Sequence, residues 1–153
     1  MAGYRTHKVV GGAVGATVAL AYAQNQPPLL AMAETLGGLL AGQHAGTWAD
    51  ITEPAISSHH RDFCHALAPT AYGATLVFRS ADTMQASLRS QAQVYFQQAA
   101  STNDGLQQFV NIAAGLLLHV IAGAVPAVPA SYVSHIVLDA VTPRGVPLLV
   151  RGF

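Results

Sequence analysis

The stretch FVNIAAGLLLHVIAGAVPAVPA, residues 109–130, decides the fold class of this sequence. It carries no formal charge, and only Asn111, His119, Pro126 and Pro129 interrupt its apolar side chains. A transmembrane helix needs about 20 consecutive, mainly apolar residues. No other stretch comes as close to that requirement, so the sequence predicts apolar helices at or just below the length of a membrane span.

The composition of the whole chain supports this interpretation. Of its 153 residues, 52% are hydrophobic and only 9% are charged, whereas soluble domains are about 25% charged. Seven basic residues balance seven acidic ones, which argues against a cationic nucleic-acid-binding face and against intrinsic disorder. The single cysteine, Cys64, excludes an internal disulfide and a cysteine-based zinc cluster. A membrane protein is favoured over the alternative, a soluble bundle rich in Ala and Gly, because 14 charges cover little surface.

The pattern predicts one all-α domain over residues 1–153. We expect a bundle of about four apolar, transmembrane helices, a Gln-rich amphipathic helix and a short C-terminal helix. In chain order, the predicted helices cover residues 6–23, 28–40, 57–78, 79–104, 106–125 and 131–140, with a loop over 42–54. Gly11, Gly12 and Gly15 give the first helix a small-residue face suited to close packing. Pro126 and Pro129 are expected to break the fourth apolar helix.

His135 and Asp139 form the first pair of candidate metal ligands. They are four residues apart and therefore share one face of a helix. An imidazole nitrogen and a carboxylate oxygen presented together are half of a common divalent metal site. The alternative is a simple hydrogen bond between the two side chains. The pair lies in an apolar run, where polar groups without a partner are costly.

Further acidic, basic and histidine residues lie before the third predicted helix or in its N-terminal part. Asp50 and Glu53 are three residues apart, and the alternative role for Asp50 is helix capping. His60 and His65 are five residues apart, so they converge only if His60 lies in the entry loop and His65 on the helix. Arg61 has the chemistry to neutralise a phosphate; its alternative is a salt bridge with a nearby carboxylate.

The order of the helices places all these residues at one end of the bundle. If each of the four apolar helices crosses the same layer, every candidate ligand arrives on the same side. These residues are His7, Asp50, Glu53, His60, His65, His135 and Asp139. Five basic residues share that end, namely Arg5, Lys8, Arg61, Arg144 and Arg151, against Arg79 and Arg89 at the other. The positive-inside rule then predicts that this end faces the cytoplasm.

The motifs occur in an order that resembles a known family. An N-terminal His7 is followed by DITEP at 50–54, HRDFCHAL at 60–67, SHIVLD at 134–139 and TPRGVPLL at 142–149. This order resembles the YdjM-like (LexA-regulated) membrane-bound metal-dependent hydrolases. That family is in turn similar to zinc-dependent phospholipase C enzymes, which are all-helical and bind several zinc ions through His and acidic residues.

The resemblance implies a function, a cofactor and a set of site residues. The implied metal ligands are His7, Asp50, His60, His65, His135 and Asp139. The implied cofactor is a divalent metal, zinc first, with one to three ions. The implied activity is hydrolysis of a phosphoester, of a lipid or a nucleotide, by a metal-activated water, with Asp50, Glu53 and Arg61 as catalytic residues. We expect a multi-pass protein of a bacterial-type inner membrane, in contact with lipid and capable of forming a homo-oligomer.

Departures from the family pattern keep a second hypothesis open. Thr52 stands where the family usually has a second acid, with Glu53 next to it as a possible replacement. Asp62, Cys64 and Ala66 also differ from the usual Gly, Thr and Ser. The alternative is therefore a non-catalytic helical membrane or assembly protein that keeps a degenerate metal site.

Overall fold

The fold is helical throughout the part of the chain that the computed structural model describes, residues 3–53 and 64–141. No strand occurs in these two ranges, which confirms the prediction of an all-α fold for them. The helices are α1 (Tyr4–Tyr22), α2 (Pro28–Ala45), α3 (Trp48–Thr52), α4 (Leu67–Ser101) and α5 (Gly105–Ala140).

The third predicted helix and the Gln-rich helix are one continuous element. The predicted boundary at residues 78 and 79 is wrong, because α4 runs from Leu67 to Ser101 without interruption. The change from apolar to polar composition at that point contains no Gly or Pro, so nothing in the backbone chemistry ends the helix. The predicted start at residue 57 lies outside the described residues.

The prediction that Pro126 and Pro129 break the helix is also wrong, and so is a separate short helix over 131–140. Both prolines lie inside α5. A proline at position 126 has no N–H to donate to the carbonyl oxygen of Ala122, four residues earlier. The buried Gln85 of α4 supplies a donor instead, since its Nε2 lies 2.9 Å from that oxygen. A side chain from a neighbouring helix therefore satisfies the carbonyl that the proline releases.

The part of the predicted loop over 42–54 that the structure describes, residues 42–53, is largely helical. α2 continues to Ala45, and α3 follows after two residues. Gly42 does not end α2, because its lack of a side chain serves a close contact with α1. A Cβ on Gly42 would overlap the carbonyl oxygen of Gly11.

Glycines set the distance between α1 and α2. A Cβ on Gly15 would overlap the carbonyl oxygen of Gly38, and one on Gly12 would come within 2.8 Å of Gln43 Cγ. The predicted small-residue face of the first helix is therefore confirmed. α5 packs against α1, α2 and α4, and it is the central element of the bundle. Ser131 of α5 joins this crossing by donating a hydrogen bond to the Gly11 carbonyl, at 2.8 Å.

Large apolar side chains lie mostly outside the bundle and small ones inside it. Apart from Ile136, Pro126 and Pro129, the buried apolar residues in the described ranges are alanines and glycines. Exposed large residues include Leu29, Met32 and Phe109, each more than 60% accessible. Small interior residues with apolar outer faces are typical of helices packed in lipid. By length and composition, α5 alone among the described helices qualifies as a membrane span, so the predicted set of about four is not confirmed.

A polar cluster that we call the Glu34 cluster joins α2, α4 and α5. It consists of Glu34, Arg89 and His119. The Glu34 carboxylate is fully buried and accepts hydrogen bonds from Arg89 Nε and Nη2, at 2.9 and 2.6 Å. It also accepts one from His119 Nδ1, at 2.8 Å. His119 is itself buried and links α5 to α2 through this contact.

Candidate functional site

Five of the predicted ligands meet at one end of the bundle. We call them the site cluster: His7, Asp50, His65, His135 and Asp139. His7 lies in the first turn of α1, Asp50 in α3, and the last two near the end of α5. His65 lies in the turn that precedes α4, whereas convergence with His60 was expected only with His65 on the helix. All except Asp50 are buried, and Asp50 is partly buried.

His135 presents one ring nitrogen to the centre of the cluster. Its Nδ1–H donates to the carbonyl oxygen of Gly46 at 2.8 Å, which fixes the orientation of the ring. The other nitrogen, Nε2, therefore carries a lone pair when the ring is neutral. It lies 3.7 Å from both Asp50 Oδ1 and Asp139 Oδ2. It is buried and has no hydrogen-bond partner among the described residues.

His65 is oriented in a similar way, by Glu53. Its Nδ1 lies 3.1 Å from Glu53 Oε2, and because a carboxylate only accepts, Nδ1 carries the proton. The Nε2 atom then faces Asp50 Oδ1 at 3.5 Å and Asp139 Oδ2 at 3.7 Å. The other Glu53 oxygen accepts the backbone N–H of Cys64 at 2.8 Å, which ties the end of α3 to the turn that carries His65.

His7 completes the cluster from the side of α1. Its Nε2 lies 3.4 Å from Asp139 Oδ1. Its ring stacks on the ring of His135, with the two centroids 3.8 Å apart. The Gly-rich crossing of α1 and α2 allows this approach, because it brings α1 close to the elements that carry the other ligands.

The distances suit a metal ion better than they suit direct hydrogen bonds. Hydrogen bonds between nitrogen and oxygen are about 2.7–3.2 Å long, whereas the contacts inside the cluster are 3.4–3.7 Å. Donors about 2.0–2.1 Å from a tetrahedral zinc ion lie about 3.3–3.4 Å from one another. Two sets of donor atoms each lie within 4.8 Å of one another: His7, His135 and Asp139, and Asp50, His65 and His135.

The charges around His65 and Asp50 favour an ion pair in the absence of metal. Burial alone lowers the pKa of His65, but its contacts with Asp50 and Glu53 outweigh burial and raise it above 6.5. Burial alone raises the pKa of Asp50, but His65 and the charges of His135 and His7 lower it below 3.8. A dication at this point would replace the proton on His65 Nε2.

The remaining predicted residues fall into three groups. Glu53 is not among the cluster's candidate ligands but contacts Nδ1 of His65. Thr52 donates its hydroxyl hydrogen to its own helix, at the Trp48 carbonyl. His60, Arg61 and the motif at residues 142–149 lie outside the described residues.

Sequence reasoning missed two supporting groups. One is the Gly46 carbonyl that holds His135, and a backbone atom leaves no signal in the side-chain pattern. The other is Tyr132, whose hydroxyl donates to the Cys64 carbonyl next to His65. Tyr132 lies three residues before His135 on α5. In the sequence, only its position one helical turn from a predicted ligand indicated a supporting role.

Comparison with known proteins adds the family of the chain. The model of the YdjM inner membrane protein family matches residues 1–150. No curated protein and no solved structure matches the chain. The family match covers α1 to α5 and all five residues of the site cluster. The chain therefore belongs to the YdjM inner membrane protein family.

Proposed function

We propose that this chain is a metal-dependent hydrolase of the inner membrane, acting on a phosphoester at the site cluster. The observation that carries the proposal is the environment of His135. Its Nδ1 is hydrogen-bonded to the Gly46 carbonyl oxygen, and its Nε2 lies 3.7 Å from two carboxylate oxygens. Metal-bound histidines commonly donate their second ring N–H to a carbonyl or carboxylate in this way.

The described ligands suit one ion that includes His135. Both donor sets use His135, and its Nδ1 is engaged with Gly46, so only Nε2 is available for a metal. A second ion would need donors beyond these two sets. Imidazole and carboxylate ligands without thiolate suit zinc, and nitrogen and oxygen donors also accept manganese.

Each residue of the cluster has a distinct part in this proposal. When bound, zinc lowers the pKa of a water molecule to near neutrality and stabilises negative charge on a phosphoryl oxygen. Glu53 orients His65, and the Gly46 carbonyl orients His135. Asp50, which is partly exposed, lies where a substrate has access to the cluster. Arg61, from the motif before α4, is proposed to bind the phosphate.

We also propose that the protein crosses the membrane more than once, with the site cluster towards the cytoplasm. The exposed apolar faces of α2 and α5 support lipid contact on both. Arg5 and Lys8 lie at the site end of α1, as the positive-inside rule requires. Arg89, counted against this orientation in the sequence, contacts the buried Glu34 and so is not a flanking surface charge.

Elemental analysis of the purified protein tests the metal site. We expect about one equivalent of zinc or manganese per chain. The metal should be lost in His135→Ala, because removing a ligand lowers the affinity for the ion. His119→Ala is the matched control, since His119 is also a buried histidine of α5 but belongs to the Glu34 cluster. Less than about one equivalent, unchanged by His135→Ala, would contradict the proposal.

A screen of phosphomonoesters and phosphodiesters then tests the hydrolase activity. We expect turnover that requires metal and is lost in His135→Ala but kept in His119→Ala. Full metal content without turnover of any ester would instead support the alternative, a membrane or assembly protein in which the ion stabilises the fold.

A further inference from the structure

An apolar groove of about 440 Å³ lies beside the site cluster, between α3, α4 and α5. It begins at Thr52 and Cys64, which are the chain neighbours of Glu53 and His65. From there Gly73 and Val77 of α4 and Val128 of α5 form its walls. Its volume falls within the range of small-molecule sites, about 300–1,000 Å³.

The hydroxyl groups of this groove are already engaged with the backbone. Thr52 donates to the Trp48 carbonyl, Thr70 to the Ala66 carbonyl and Tyr132 to the Cys64 carbonyl. No charged side chain lines it among the residues that the structure describes. A nucleotide base or sugar needs hydrogen-bond partners when it is buried, and these walls provide few. A hydrocarbon chain needs none.

We propose that the groove binds the acyl chain of a lipid phosphoester whose phosphate lies at the site cluster. The proposal rests on the proposed function for the position of the phosphate. The apolar groove favours a lipid, rather than a nucleotide, as the class of substrate. An amphiphilic substrate fits because a charged site and an apolar groove adjoin along α3 and the turn at Cys64. A lipid also reaches such a site directly from the bilayer, where members of an inner-membrane family reside.

The chain contains its own reporter for this test. Trp48 is its single tryptophan and lies at the groove. Bromine atoms on a lipid chain quench tryptophan fluorescence on close approach. The full-length protein, in detergent with EDTA, is titrated with phosphatidic acid that carries brominated stearoyl chains. We expect saturable quenching of Trp48.

Gly73→Phe is the variant that fills the groove. A Cβ on Gly73 meets no atom within 4 Å, so the backbone tolerates the change. Gly105→Phe is the matched control, because Gly105 is equally open but lies at the start of α5, away from the groove. We expect half-saturation to need at least about tenfold more lipid in Gly73→Phe, as when roughly two methylene groups lose apolar contact.

Competition in the wild-type protein provides a measurement that does not depend on any variant. Unlabelled dipalmitoyl phosphatidic acid should reverse the quenching, and dibutyryl phosphatidic acid should not. Equal quenching in Gly73→Phe and Gly105→Phe, quenching without saturation, or equal competition by the two lipids would each overturn the proposal. Because EDTA removes the metal, this result is independent of the hydrolase test, and either proposal can fail alone.

Discussion

The site cluster and the Glu34 cluster both contain histidine and carboxylate side chains, but the distances between these groups differ. Both bury histidine beside carboxylate within a bundle that is otherwise apolar. In the Glu34 cluster the carboxylate is 2.6–2.9 Å from its three donors. In the site cluster the contacts between imidazole and the aspartates are 3.4–3.7 Å. The first arrangement is closed by hydrogen bonds, and the spacing in the second is the one that the proposed metal site requires.

This difference distinguishes a polar cluster closed by hydrogen bonds from one that we propose to bind a metal. Burial and residue type do not, because both clusters are buried and both contain a histidine of α5. A charge in an apolar bundle is retained when its hydrogen bonds are complete, as at Glu34. In the proposed metal site, an ion would instead join imidazole nitrogens and carboxylate oxygens that are spaced beyond hydrogen-bond length.

The largest effect is expected from Glu34→Ala. This change leaves the Arg89 guanidinium and His119 without their partner inside the bundle. Breaking a buried ion pair by removing one member costs about 3–5 kcal/mol. The free energy of unfolding in detergent should fall by that amount, while the zinc content of the folded fraction stays the same.

A double variant separates the charge from the packing. Glu34→Leu combined with Arg89→Leu removes both charges and keeps apolar volume, so it should recover more than half of the loss. If the double variant is no more stable than Glu34→Ala, the cluster does not act as an ion pair. If Glu34→Ala also loses zinc, the two clusters are not independent.

A smaller effect is expected from Glu53→Gln. The change removes the charge that orients His65 but leaves the site-cluster residues in place. Loss of such an orienting carboxylate weakens metal binding by about 10–100-fold. Competition with a zinc chelator measures the affinity, and Asp82→Asn, which neutralises an exposed carboxylate of α4, is the control. Unchanged affinity in Glu53→Gln would show that the contact with His65 does not support the metal.

The smallest effect is the pH dependence of the metal-free protein. The pKa of His65 is raised above 6.5, so its contacts stabilise the fold below 6.5 and the contribution is lost as the pH rises through the raised pKa. The pKa of Asp50 is lowered below 3.8, so its contribution is present above 3.8 and lost as the pH falls through the lowered pKa. In EDTA, these two contacts should therefore lower the melting temperature as the pH rises above 6.5 and as it falls below 3.8.

Above pH 6.5, the melting temperature should fall with rising pH in EDTA but rise with pH when zinc is added. Zinc requires deprotonated His65, so its stabilising effect grows as the pH rises above 6.5. His65→Gln removes the fall in EDTA and is the control. A metal-free protein whose melting temperature keeps rising above that pH would contradict the prediction.

The helical class could be predicted from the sequence, but the ends of the helices could not. Apolar runs at helical spacing indicated helices wherever the structure has long ones. The errors came from local signals that tertiary contacts override. Pro126 lies inside α5 because Gln85 satisfies the carbonyl it releases, and Gly42 lies inside α2 because it contacts α1. Neither partner is near in sequence.

The gathering of the site residues was more predictable than their detailed contacts. Counting helix crossings placed His7, Asp50, His65, His135 and Asp139 at one end, and the structure brings these five together. The i, i+4 spacing of His135 and Asp139 correctly put them on one face. The orienting groups could not be found this way, because the Gly46 carbonyl is backbone and the contact between Glu53 and His65 depends on a turn.

The glycine contacts within the bundle determine which positions tolerate substitution. In a water-soluble protein the interior holds large apolar residues and the outer face accepts most substitutions. Here a single added methyl at Gly15, Gly37 or Gly123 meets the backbone of a neighbouring helix. The outer leucines and phenylalanines, by contrast, are exchangeable for other apolar residues. Substitutions in this fold should therefore be tolerated best at its exposed apolar side chains, and its buried glycines should be its least replaceable residues.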